Sequence, residues 1–231
     1  MLRAPIAVPC LVALAACAPL RRVAPVEPGQ HVVSVGFGGP ITEVGRDTGA
    51  YVPAPIFTAG YNYGLHPLVD LEGGLSVTEL VVGGLALDLG ANIRPLRPDG
   101  ARPALIIPVK LHLLVPFRGD GIDTTRLYPE VGATAAWRLG ARPFYTYVGF
   151  NLWFDLASRG DGNDVLARVL PAFHLGQTVG TAAWQLSLEL RYYTPNVNDD
   201  FRLVDVADIG GYGSLGLLFG FSVGFGGGGA Q

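Results

Sequence analysis

Apolar and polar residues alternate one by one along most of this chain. In the stretch Phe144 to Asp155, Phe144, Thr146, Val148, Phe150, Leu152 and Phe154 alternate with Tyr145, Tyr147, Gly149, Asn151, Trp153 and Asp155. Trp184 to Tyr193 repeats the pattern, and Leu105, Ile107, Val109, Leu111 and Leu113 oppose Lys110 and His112. A period of two belongs to a β-strand, whose successive side chains point to opposite faces. No segment after His31 carries a clear 3.6-residue period. Ten strands are predicted, near residues 31–38, 54–65, 68–77, 80–93, 105–113, 127–138, 144–155, 166–177, 184–193 and 212–225. The fold class is therefore all-β, read as an antiparallel up-and-down barrel over 31–225, with eight strands as the alternative count.

The two faces differ in charge. The polar face of these strands carries Asp70, Glu72, Asp88, Glu130, Asp155 and Glu189 together with Arg94, Lys110, Arg138, Arg168 and Arg191, and the apolar face carries none. Two architectures accommodate such a split: a soluble barrel with the apolar face inward, or a transmembrane barrel with that face toward lipid. Three features favour lipid. Several strands run ten residues or more, the length needed to cross a bilayer at a tilt. An even strand count puts both termini at one rim. Long connections (39–53, 116–126, 157–165, 194–211) tend to alternate with short ones (66–67, 139–142, 178–180), although the junction near 78–79 is too short and 94–102 too long for strict alternation. Tyr63, Trp137, Phe144, Trp184 and Phe225 fall on the apolar face at the short-turn rim, and Phe57, Phe154 and Tyr192 at the other, as interface girdles would.

Composition agrees. Glycine makes up 33 of 231 residues, about twice the usual share of ~7%, and charged residues only 15% against ~25%. No run of eighteen apolar residues offers a spanning helix. A net charge of −3 with Lys110 as the sole lysine gives no footprint for nucleic acid.

The N-terminus begins Met1-Leu2-Arg3, continues through an apolar stretch broken by Pro5 and Pro9, and reaches Leu14-Ala15-Ala16-Cys17. This resembles a bacterial lipoprotein signal with its lipobox. The resemblance implies removal of 1–16, acylation of Cys17 and, with Ala18 rather than Asp next, sorting to the outer membrane. One cysteine then survives, which excludes an intrachain disulfide. Residues 17–30, with Pro19, Pro25 and Pro28, read as an extended periplasmic tether, and 226–231 as a glycine-rich tail. Ser214 to Phe221 is similar to the signal that outer-membrane insertion machinery reads on a last strand. The whole mature chain resembles a small bacterial outer-membrane β-barrel. The implied partners are outer-membrane lipid, lipopolysaccharide, and the barrel-insertion and lipoprotein-sorting machineries; no cofactor is expected.

In a narrow barrel the polar face points into the lumen, and nearly balanced charges predict ion pairs that fill it rather than line a selective pore. His112 and His174 join this network. The function so reached is a lipid-anchored barrel with a structural, surface-interaction or minor transport role. One alternative is a tethered soluble barrel with a hydrophobic ligand inside. The other is a surface hydrolase, although no G-x-S-x-G or H-E-x-x-H occurs and Ser76 and Ser187 lack an evident base. Two connections repeat a motif, Arg118-Gly119-Asp120-Gly121-Ile122-Asp123 and Arg159-Gly160-Asp161-Gly162-Asn163-Asp164. Asp120, Asp123, Asp161 and Asp164 are weak cation candidates, since glycine and aspartate are also what turns require.

Overall fold

The computed structural model describes residues 22–44, 50–99, 101–117, 125–140, 144–156, 169–181, 183–198 and 207–227. Eleven strands follow in order: β1 (Gln30–Val44), β2 (Ala50–Pro53), β3 (Phe57–His66), β4 (Val69–Ser76), β5 (Gly84–Leu96), β6 (Ala104–Pro116), β7 (Arg126–Leu139), β8 (Phe144–Phe154), β9 (Val169–Gly180), β10 (Trp184–Asn198) and β11 (Tyr212–Gly226). From β3 onward each strand pairs antiparallel with the next. β1 pairs with both β3 and β11, from Gln30 opposite Gly226 to Pro40 opposite Gly216, and this closes a barrel of ten strands. The up-and-down topology is thus the predicted one, and the count is ten rather than eight. The eleventh strand, β2, stands outside the closure as a hairpin partner of the outer part of β1, Ile41 opposite Pro53.

One predicted strand start is corrected. Residues 80–82 are not extended; Val77–Val82 form a helix of fewer than two turns, α1. Ser76 caps it by accepting the Glu79 amide at 3.3 Å, and Gly83, at φ 103°, ends it in the left-handed region. The Ser-x-x-Glu spacing is a helix start signal that the apolar run Leu80-Val81-Val82 conceals. This helix is the connection near 78–79 whose shortness broke the alternation.

The sidedness follows strand parity. Outward-facing side chains are apolar and exposed, Val35 at 53%, Leu89 at 67% and Leu175 at 53% among them, whereas the inward side holds the buried acids and bases. A soluble barrel with a greasy interior requires the opposite arrangement, so that alternative is overturned. From Phe144 to Phe154 the apolar face runs about 34 Å along β8, which projects to about 25 Å at a tilt of ~40°, the height of a membrane-facing band.

The lumen is packed in layers. Val23, Ala24, Ala104, Ile106, Ala136, Tyr145 and Tyr147 form an apolar cluster near the rim that carries the termini. Ala86, Leu114, Tyr128, Trp153, Leu170, Ala172 and Tyr193 form another toward the opposite rim. The glycine excess serves this packing. Inward glycines leave room for large neighbours: a Cβ on Gly176 would collide with the Tyr147 ring, and one on Gly74 with the Asp88 carboxylate.

Candidate functional site

Between the two apolar clusters lies a network of charged groups, each brought in by an even position on β4 to β7 and β9 or an odd one on β8 and β10. Asp70 and Glu72 on β4 face Asn92 and Arg94 on β5. Arg94 Nε donates to Asp70 Oδ2 at 2.7 Å, and Asn92 Nδ2 donates to both Asp70 Oδ1 (2.8 Å) and Glu72 Oε2 (2.6 Å). Lys110 Nζ on β6 binds the other oxygen of Glu72. Asp88 on β5 stands opposite His112 on β6.

Further round the wall, Glu130 Oε2 on β7 is shared by His112 Nε2 at 2.5 Å and by the Trp153 indole, which donates at 2.7 Å. Glu189 on β10 takes Arg191 Nε at 2.7 Å and the Tyr147 hydroxyl at 3.0 Å. Thr134 Oγ1 and His174 Nε2 are 2.9 Å apart. Every one of these side chains is buried. Charges removed from water are tolerated when paired and hydrogen-bonded, and here the β-strands preset that pairing.

The ten lumen candidates Asp70, Glu72, Asp88, Arg94, Lys110, His112, Glu130, His174, Glu189 and Arg191 lie in this interior. Arg138 does not join them: it is exposed at the end of β7, on the termini rim. Asp155 sits half-buried just beyond β8, and Arg168, Asp120, Asp123, Asp161 and Asp164 lie outside the described residues. Cys17 also lies outside them. Among the girdle candidates, Trp184 and Phe225 are exposed, while Tyr63, Trp137, Phe144, Phe154 and Tyr192 are half-buried. At the termini rim His31 joins the belt, stacked on Phe225 (centroids 5.7 Å apart, planes 11° apart) and bonded to the Tyr61 hydroxyl at 2.5 Å. At the other rim Phe37 and Phe57 meet at 5.0 Å.

Sequence reasoning missed one participant. Part of the stretch read as tether, residues 22–29, lies against the inside of the barrel mouth, with Arg22, Val23, Ala24 and Val26 buried. Arg94 holds it: Nη1 donates to the Val23 carbonyl at 2.8 Å and Nη2 to the Arg22 carbonyl at 3.1 Å. Arg22 in turn donates to Ser222 on β11 at 3.2 Å. The available signal was Val23 and Val26, apolar residues that a purely solvated tether does not need.

Outside the barrel strands, burial raises the Glu79 carboxyl above its ordinary range. In the lumen, His112 is within reach of a carboxylate, but both members of the pair are buried, which leaves a substrate no approach to them. His66, the last residue of β3, accepts the Leu68 amide at 3.2 Å.

No protein-family model and no curated protein matches the chain. Solved structures similar in shape include an outer membrane channel from Pseudomonas putida F1 (11% identity, TM-score 0.45, 90% of this chain and all of that one). Others are the outer membrane protein Ail of Yersinia pestis (12%, 0.37, 85% and 99%) and the translocator domain of the autotransporter NalP from Neisseria meningitidis (11%, 0.40, 94% and 93%). No residue role carries over from any of them.

Proposed function

We propose that this chain is a lipid-anchored barrel of the bacterial outer membrane, acylated at Cys17, with both termini on the periplasmic side and a filled lumen that suits a structural or surface-interaction role better than an open pore. One observation carries the reading: an apolar, exposed belt surrounds an interior whose buried charges, Asp88 apart, are held in ion pairs and hydrogen bonds and capped by apolar layers at both ends. Lipid is the solvent for which such an outside is adapted, and closure leaves no unpaired strand edge within it. The outer connections are where a surface partner would meet the protein, and lipopolysaccharide is the neighbour of the upper belt.

The test is gel mobility of the protein extracted from outer membranes, boiled against unboiled, with conductance of the purified barrel in planar bilayers. A heat-dependent shift with no steady open-channel current supports the reading. Release into aqueous buffer as a monomer when Cys17 is replaced by serine overturns the membrane barrel, and a stable large conductance overturns the filled lumen.

A further inference from the structure

The apolar layer that caps the charged interior at the termini rim is not all wall. Val23 and Ala24 come from the N-terminal segment, whereas Ala104, Ile106, Ala136, Tyr145 and Tyr147 come from β6, β7 and β8. Residues 22–29 belong to no strand or helix. Their hold on the barrel is that of a bound peptide, with apolar side chains in a pocket and main-chain groups on fixed partners. Val23 is 1% exposed and Val26 4%, and the Gly29 amide donates to the Gly64 carbonyl at 2.8 Å.

The wall is shaped for this occupant. Arg94 gives its Nε to Asp70, which fixes the guanidinium plane and leaves Nη1 and Nη2 for two successive carbonyls, those of Val23 and Arg22. Carbonyls are common to every peptide, so this fork reads an extended main chain rather than particular side chains. Selectivity falls to the apolar pocket, where Ala104 and Ala136 leave room for a small branched side chain such as valine. Gly64 is cut back beside it, since a Cβ there would collide with the Glu27 carbonyl. Pro25 presets an extended backbone and has no N–H to satisfy. A cavity of about 430 Å³ lies alongside, lined by Ala24, Pro25 and Val26 of the segment and by Leu96, Tyr145 and Gln185 of the wall. The mouth is therefore wider than its occupant, which leaves the segment space to move.

We propose that the barrel mouth is a binding site for an extended peptide with small apolar side chains, and that residues 22–26 are its resident occupant, displaced when such a peptide from another chain competes. The segment is thus an autoinhibitory contact within a binding site. This goes beyond the role proposed above and needs no acylation at Cys17.

The probe is a fluorescein-labelled pentapeptide with the sequence of residues 22–26, titrated by anisotropy with the full chain folded in zwitterionic micelles. In the wild type the tethered segment competes at an effective concentration of roughly mM, so the pentapeptide binds weakly. Two variants free the segment by different routes. Val23→Gln puts an amide into the apolar layer, and Gly64→Ala sets a methyl group against the Glu27 carbonyl. The pentapeptide ends before Glu27, so Gly64→Ala obstructs the tethered segment and not the probe. Trypsin cleavage after Arg22 reports the freed segment, and the heat-dependent gel shift reports a folded barrel. Both variants are expected to bind the pentapeptide at least about tenfold more tightly than the wild type does. A pentapeptide carrying Val23→Gln should bind them at least about tenfold more weakly, since burying one valine is worth a factor of that order. A segment that stays protected from trypsin in both folded variants, equal affinity of all three proteins for the pentapeptide, or equal affinity for the two peptides overturns the proposal.

Discussion

Arg94 and Asp70 face each other inside the barrel mouth at 2.7 Å, and the same guanidinium holds the carbonyls of Arg22 and Val23. One side chain thereby ties wall to wall and wall to N-terminal segment. Arg94→Gln leaves the Asp70 carboxylate buried without its cation, a loss of about 3–5 kcal/mol for a broken buried pair. The segment loses its hold at the same time. Trypsin should spare the Arg22–Val23 bond in the wild type, where Arg22 is buried, and cut it readily in the variant, and mass spectrometry of the digest reads the difference.

Glu130 receives two donors on one oxygen, His112 Nε2 and the Trp153 indole. Glu130→Ala strands both in a dry interior, so urea unfolding in micelles should show a loss of roughly 2–4 kcal/mol, larger than Glu130→Gln, which keeps an acceptor oxygen. The Trp153 indole N–H loses its acceptor, and the indole fluorescence is expected to shift in the alanine variant before any unfolding.

Gly176 on β9 exists for the Tyr147 ring, which passes over it to reach Glu189. Gly176→Ala forces that ring aside. The expected cost is about 1–3 kcal/mol, the usual penalty for overpacking, read as a lower temperature for the heat-dependent gel shift. Gly140, where no atom lies close to an added Cβ but φ is 75°, loses stability through backbone strain alone, so Gly140→Ala should be milder.

Glu79 sits in α1, where partial burial raises its carboxyl above the unfolded value. The unfolded chain then gives up this proton at lower pH than the folded one does. The helix is accordingly favoured at acid pH, and that advantage is lost as pH rises through the interval between the two values. Protection of the α1 amides in hydrogen exchange should fall from mildly acidic to neutral pH in the wild type and stay level in Glu79→Gln.

Strand number, closure and sidedness were legible in the sequence because a strand has a period of two and the outward-facing positions exclude charge, as Leu186, Leu188 and Leu190 against Glu189 and Arg191 illustrate. The ten interior members of the lumen network followed from that parity alone. Arg138 has the same parity and yet lies at the rim, because parity gives the face of the sheet and not the depth along the strand. Helix α1 stayed hidden, since a six-residue helix shows too few turns for a period and its capping box was outweighed by three consecutive apolar residues. The docking of Arg22 to Gly29 left almost no local trace: what fixes it is a pairing with Arg94, 72 positions away from Arg22, which no local pattern encodes.

Leu188 lies midway between Trp184 and Tyr192 on the outward face of β10 and is 45% exposed. If lipid covers this face, Leu188 is at the middle of the hydrocarbon, where an arginine costs about 2–4 kcal/mol in a transmembrane barrel. Leu188→Arg should therefore unfold at clearly lower urea in phospholipid vesicles, whereas Tyr192→Arg, at the girdle, should change stability by about 1 kcal/mol or less. Depth is the deciding variable, because a face merely exposed to water would accept both arginines alike. Equal, small effects at the two positions in vesicles would mean that the belt does not touch lipid, and a graded loss from Tyr192 to Leu188 would place the bilayer on the barrel.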